Sequence, residues 1–306
     1  MSFSSFLTRI LVRSGIAQVL PGIDRWSEGS QDFLHYYSDQ VLQAPREELR
    51  NAASLITPTP PDMIDLSQGT PKLESFTKAL TTVEPRRESY PLPWGSLELR
   101  QILATQLSTL QHQSVDPETG AAGAVQTVLS TFTNPGGRVV LFDPIAPLFP
   151  LSLRAQRLRI HWLYSRTEDG VLRFQLEQLS KALRRARLMI LPPIGSPTGG
   201  LLAPDDLEQI IWWAHRYDVL LYADESYANY HYEGVRVLPH TFERSHKRIL
   251  TAGSVSKSHG LASLRVGWLS GHQHLIRPCM LTMALKTSFV PPICQQVAMN
   301  ALKEGE

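Results

Sequence analysis

Apolar positions along this chain alternate between two periods. Near residues 97–112, 122–132, 175–185 and 204–216 they recur at helical spacing. Between these stretches lie compact apolar runs near 138–142, 159–163, 187–191, 218–223, 248–252 and 265–269, too short for helices and bounded by polar or turn-forming residues. They predict buried strands. Strands that alternate with helices in this way predict an α/β domain built on a mainly parallel sheet. From His274 onward the pattern is helical again. Upstream, Pro58, Pro60 and Pro61 mark a turn-rich link, and residues 1–60 match no motif. The first residues are amphipathic: Phe3, Phe6, Leu7, Ile10 and Leu11 recur at helical spacing, and Arg9 and Arg13 are the only charges before Asp24. Transit peptides share this pattern. The expectation adopted is the simpler one, a short helix packing on the body or on a partner subunit.

Composition narrows the function. The 306 residues suffice for one large domain or two modest ones, and 42% hydrophobic with 19% charged residues is ordinary for a globular chain. A net charge of +2 gives no pull towards nucleic acid. No apolar run is long enough to span a bilayer, so no membrane partner is expected. Cys279 and Cys294 are the only cysteines and neither lies in a CxxC pair, which argues against zinc and against a disulfide framework. A reducing compartment, taken as the cytoplasm, fits.

Three segments carry chemistry. In Ser254-Val-Ser-Lys-Ser-His-Gly-Leu-Ala-Ser-Leu-Arg265-Val-Gly, Lys257 follows Ser254 and Ser256 and precedes Gly260 and Arg265. An amine that forms a Schiff base must be held beside its carbonyl partner. Hydroxyls and a guanidinium suit a phosphate dianion. In Val219-Leu-Leu-Tyr-Ala-Asp-Glu-Ser-Tyr227, an apolar strand ends at Asp224, and ligands of open α/β sheets bind beyond the carboxyl ends of strands. A carboxylate there suits a protonated pyridine nitrogen, and the Tyr227 phenol a ring oxygen. The plain alternative for Asp224 is a cap on the next element. The third segment, Leu191-Pro-Pro-Ile-Gly-Ser-Pro-Thr-Gly-Gly200, is a rigid turn after a strand and by itself weak. Neighbouring residues take the plainer assignment: His259 as a loop residue, Trp212 and Trp213 as packing, Glu225 as pointing elsewhere, and Asp205 and Asp206 as acids suited to a helix start.

In this order and spacing the segments resemble the fold-type-I pyridoxal-phosphate enzymes, specifically the class I/II aminotransferases. Ile64-Asp-Leu-Ser-Gln-Gly69-Thr-Pro71, Tyr90 with Gly95, Leu99 and Arg100, Gly120-Ala-Ala-Gly-Ala124, and Pro135-Gly-Gly-Arg-Val-Val140 before Asp143-Pro144 extend the resemblance over about residues 64–270. It implies a three-layer α/β large domain with a mostly parallel seven-stranded sheet and an incomplete small domain. The implied boundaries are 1–63 for an N-terminal helix and linker (part of a small domain or a dimer arm), 64–275 for the cofactor-binding domain, and 276–306 for a connecting helix and the start of a truncated small domain. By resemblance, Lys257 holds pyridoxal 5′-phosphate as a Schiff base and carries the proton to and from the substrate. Asp224 keeps the pyridine nitrogen protonated, and Tyr227 lies beside the ring oxygen O3′. Ser254, Arg265 and Ser256 bind the phosphate together with the backbone amides of Gly120, Ala121 and Ala122. Tyr90 reaches a phosphate across a homodimer interface, and the Gly69 backbone lies near the substrate carboxylate. The implied reaction moves an amino group from an amino acid to a 2-oxo acid. Two alternatives stay open: other chemistry on the same scaffold (C–S lyase, decarboxylase or synthase), and a shortened non-catalytic cofactor-binding or assembly protein.

Four departures accompany the resemblance. Ser196 stands where the family has the Asn that bonds O3′. Ala146 stands where an aromatic stacks on the ring, leaving that residue missing or replaced by Phe149. Ala121 and Ala122 lack the hydroxyls common in the phosphate loop. The region that carries the family's α-carboxylate arginine has no counterpart among these residues, so no residue is assigned that role. The expectation is a fragment that binds cofactor better than it turns over amino acids, or a chain that holds its substrate differently.

Overall fold

The computed structural model describes residues 71, 90–107, 115–232, 239 and 247–304. They lie in one compact unit that begins at Thr70. Its first described helix is α1 (Leu97–Gln106), with the Ser96 hydroxyl accepting from the Leu99 N–H; residues 108–112 of the expected helix lie outside the described residues. Then follow β1 (Val115–Glu118), α2 (Gly120–Phe132), β2 (Arg138–Asp143), α3 (Leu148–Ala155), β3 (Arg159–Glu168), β4 (Val171–Phe174), α4 (Leu176–Leu183), β5 (Leu188–Leu191), β6 (Leu201–Leu202) and α5 (Pro204–Tyr217). The chain continues through β7 (Leu220–Asp224), β8 (Ile249–Ser254), the short α6 (Val255–Ser258), β9 (Gly267–Gly271), α7 (Gln273–Lys286) and α8 (Pro292–Glu304). In α5, Pro204 sits at the first turn with Asp205 and Asp206, and His215 and Arg216 occupy the last turn, so both helix ends carry charges that oppose the dipole.

Among the described residues the sheet has nine strands in the order β1-β9-β8-β7-β5-β2-β3-β4-β6. The expected seven-stranded sheet is present from β1 to β3, and β4 and β6 extend it beyond the β3 edge. Pairing is parallel from β8 through β7, β5 and β2 to β3, whereas β9 runs antiparallel to both β1 and β8. Both sheet faces are covered, so β5 is apolar and buried at all four positions and β2 and β7 are buried along their middles. In β2, Val140 and Phe142 enter the core under α4 and α5, while Val139 and Leu141 enter the core under α2, α3 and α7. A third cluster joins α1 and α8 through Leu99, Leu103, Val297 and Leu302. Helix α7 contributes Ile276 and Cys279 to the second core, so the chain after residue 275 packs on this same unit.

Candidate active site

The parallel strands end on one side of the sheet, and two neighbouring ends bring the proposed chemistry together. Strand β7 ends at Asp224, paired with Ala252 of β8. The Ser226 N–H donates to Asp224 Oδ1 at 2.9 Å, and this tight turn sends Tyr227 back over the strand ends. Strand β8 ends at Ser254, whose hydroxyl caps α6 by accepting from the Ser256 N–H at 2.9 Å. One turn further, the Lys257 Nζ lies 5.8 Å from the centre of the Tyr227 ring. The Tyr227 side chain also hydrogen-bonds that of Ser196, on the turn after β5, where the Ser196–Pro197 peptide bond is cis.

An anion site stands beside these groups. Gly120 starts α2 with φ +74°, and a Cβ there would sit 2.5 Å from Arg265 Nη2. Arg265, itself at φ +54°, donates from Nη1 to the Ala262 carbonyl at 2.9 Å and from Nη2 to the Thr119 carbonyl at 3.4 Å. The guanidinium is thereby fixed beside the first amides of α2, those of Gly120, Ala121 and Ala122. A helix N-terminus with a guanidinium alongside favours a dianion through two independent terms. Gly267 allows the approach, because a Cβ there would meet the Gly120 carbonyl carbon at 2.6 Å.

Burial tunes the titratable groups. Burial, and then the positive field of Arg265, lower the Lys257 pKa, which favours the neutral amine a nucleophile needs, while Asp224 partly opposes this. Burial raises the Asp224 pKa, and the hydrogen bonds from Ser226 pull it back. Tyr227 is raised by burial, with Ser196 opposing, so its phenol stays a donor.

The remaining predicted positions divide. Tyr90 is 92% exposed and its ring meets Phe289 edge-on at 6.0 Å. Gly69 lies outside the described residues. Phe149 does not replace the missing stacking aromatic: α3 turns it into the core, where it is buried and meets the Tyr222 ring. His259 lies, as expected, in the turn that follows α6, and it is buried there with Nδ1 2.7 Å from the Ser258 hydroxyl. Sequence reasoning missed Tyr230, whose hydroxyl donates to the Lys257 carbonyl at 2.8 Å. It also missed the buried acids Asp116 and Glu118 of β1. Among the described residues no helix is long and apolar enough to cross a membrane, and no group of three His, Cys, Asp or Glu could hold a metal ion.

Residues 61–306 match the family model for aminotransferase class I and II. An arginine–pyruvate transaminase of Pseudomonas aeruginosa is 28% identical over 68% of this chain and 54% of its own length. Mouse kynurenine–oxoglutarate transaminase 1 is 27% identical over 80% of this chain and 63% of its own. The chain therefore spans just over half the length of these relatives. Among solved structures, the aspartate aminotransferase of Thermus thermophilus with maleate superposes with a TM-score of 0.76, at 21% identity, over 88% of this chain and 73% of that one. The N-succinyldiaminopimelate aminotransferase of Mycobacterium tuberculosis gives 0.66, at 22% identity, over 71% and 58%. At these identities the structural likeness is one of fold.

Proposed function

Because the chain belongs to the aminotransferase class I and II family, whose members use pyridoxal 5′-phosphate, we propose that it holds this cofactor on Lys257 and transfers an amino group from an amino acid to a 2-oxo acid. The single observation that carries this reading is the convergence at neighbouring strand ends of a lysine whose pKa is lowered, a half-buried carboxyl and a guanidinium at a helix N-terminus. The residues fit the group. Gly120 leaves room that a side chain would fill between the α2 amides and Arg265, and the phosphate would be held there with help from Ser254 and Ser256. Asp224, half-buried and oriented by the Ser226 N–H, would suit a cationic ring nitrogen. Tyr227 and Ser196, already bonded to each other, would share the ring oxygen. When bound, the cofactor supplies the electron sink that stabilises negative charge at the substrate α-carbon. Lys257 would accept and return the α-proton through its amine, and the Tyr227 ring keeps that amine above the site.

The proposal extends to assembly. Tyr90 and Leu92, with Leu281 and Leu285 of α7, are exposed apolar side chains. We assign them to a homodimer interface across which Tyr90 would reach the partner's phosphate. Residues 1–63 would form a dimer arm or part of a small domain, and the chain from 276 would lead towards that domain. The test of function is to add the cofactor and a panel of amino acids and to measure conversion of bound pyridoxal phosphate to the pyridoxamine form with release of a 2-oxo acid. Release of ammonia or carbon dioxide instead would contradict amino transfer.

A further inference from the structure

We propose that Tyr230 is a positioning residue for Lys257: its hydroxyl, bonded to the Lys257 main-chain carbonyl, locks the turn that carries Asp224 and Tyr227 to the short helix that carries the lysine. The proposal rests on the reading of Lys257 as the reactive amine.

The local architecture gives this bond its weight. Helix α6 has four residues, Val255–Ser258, too few to be stable from its own hydrogen bonds. Its direction is set by what holds its two ends. The Ser254 hydroxyl holds the first. At the other end the Lys257 carbonyl accepts from the Gly260 N–H at 3.2 Å and, at the shorter 2.8 Å, from Tyr230 Oη. The segment that delivers Tyr230 is bonded to itself. The Ser226 N–H closes on Asp224, the Ala228 N–H on the Glu225 carbonyl at 2.9 Å, and the Tyr230 N–H on the Tyr227 carbonyl at 2.9 Å. Asp224, Tyr227 and Tyr230 thus ride on one wound turn, and the Tyr227 and Tyr230 rings lie 6.2 Å apart. Tyr227 lies beside the lysine's amine while Tyr230 grips its backbone. The buried Val255 anchors α6 to the body, with its N–H on the Val266 carbonyl and its carbonyl accepting from the Leu261 N–H. Removing the Tyr230 hydroxyl therefore leaves the ring and the helix in place but loosens the tie between the Lys257 end and the turn. Burial, with the neighbouring Tyr232 and Tyr227, raises the Tyr230 pKa, so the hydroxyl remains a donor through the neutral range.

The test is Tyr230→Phe in the full chain, with Tyr232→Phe, an 86% exposed neighbour, as control. The first readout needs no cofactor. Lysines are reductively methylated with carbon-13, the Lys257 resonance is assigned by its loss in Lys257→Ala, and its titration midpoint is measured. The groups that face this amine are Asp224, Tyr227 and Arg265. If Tyr230 fixes the lysine among them, Tyr230→Phe raises the midpoint towards that of a solvated lysine and broadens its spread of environments. It also weakens pyridoxal-phosphate retention by roughly 3- to 10-fold, as loss of one hydrogen bond allows. Tyr232→Phe leaves both unchanged. The proposal is overturned if the Lys257 midpoint in Tyr230→Phe equals that of the parent. It is equally overturned if that variant melts more than about 5 °C lower, which would assign the hydroxyl to the whole fold. Failure of the cofactor to react with Lys257 in the parent would defeat the functional reading instead and would leave the resonance measurement to decide the role of Tyr230.

Discussion

Asp224 ends a central strand where burial disfavours its charge, while the hydrogen bonds from Ser226 and the nearby Lys257 amine favour it, and a further cation would favour it more. That is the reason a ring nitrogen facing it would stay protonated. Asp224→Ala is expected to retain cofactor while slowing the chemical step by on the order of 10²–10³-fold, measured by single-turnover kinetics. Undiminished turnover in that variant would remove Asp224 from the mechanism. At this scale the sequence was readable wherever a side chain's place follows from a strand end. Asp224 and Ser254 close apolar runs, and Lys257 follows one turn later. It was not readable where the partner is backbone. Nothing in Tyr230 announces that its hydroxyl will find a main-chain carbonyl, and Phe149 differs from a stacking aromatic only in the direction its helix faces.

At the scale of elements, the central strands and helices α2, α4 and α5 were predicted within a few residues because both periods are strong there, whereas the eight-residue α3 was not anticipated. Strand β1 was missed, since Val115-Asp-Pro-Glu118 carries two acids and a proline and reads as a turn. Its pairing with β9 and cover by α7 override local preference, and they leave Asp116 0% and Glu118 1% exposed. Neither Asp116 oxygen has a hydrogen-bond partner among the described residues, and burial raises its pKa to about 8, with Arg100 opposing. A carboxyl with a raised folded pKa costs nothing below its unfolded pKa and becomes progressively destabilising as pH rises to the folded value. Asp116→Asn should therefore stabilise the protein little at pH 4 and by roughly a few kcal/mol at pH 8, read from urea unfolding at both pH values. A gain independent of pH would contradict this account. The start of α2 gives a second element-level prediction. A side chain at Gly120 combines positive φ with a clash against the Arg265 guanidinium. Gly120→Ala is expected to cost about 1–2 kcal/mol in stability and to weaken phosphate-dependent cofactor binding at least about tenfold, by calorimetry with pyridoxal phosphate against pyridoxal. Equal loss for both ligands would place the damage elsewhere.

Across the whole molecule, the α/β class and the mostly parallel sheet follow from alternation alone, whereas β4 and β6, of four and two residues, escaped notice because strands so short carry little periodic signal. The exposed Leu281 and Leu285, the latter 89% exposed, lie one turn apart on α7, and the proposed dimer interface includes them. Sedimentation equilibrium is expected to give a dimer for the parent and a folded monomer for Leu285→Glu, and an unchanged dimer would move the interface elsewhere. The central claim is that this fold exists to hold a cofactor on one lysine. Its most direct test is to incubate the protein with pyridoxal 5′-phosphate, reduce with borohydride, digest, and map the phosphopyridoxyl group by mass spectrometry. The account predicts one labelled peptide, carrying Lys257 between Ser254 and Arg265, and no such label in Lys257→Ala; a stoichiometric label on any other lysine, or none at all, would contradict it.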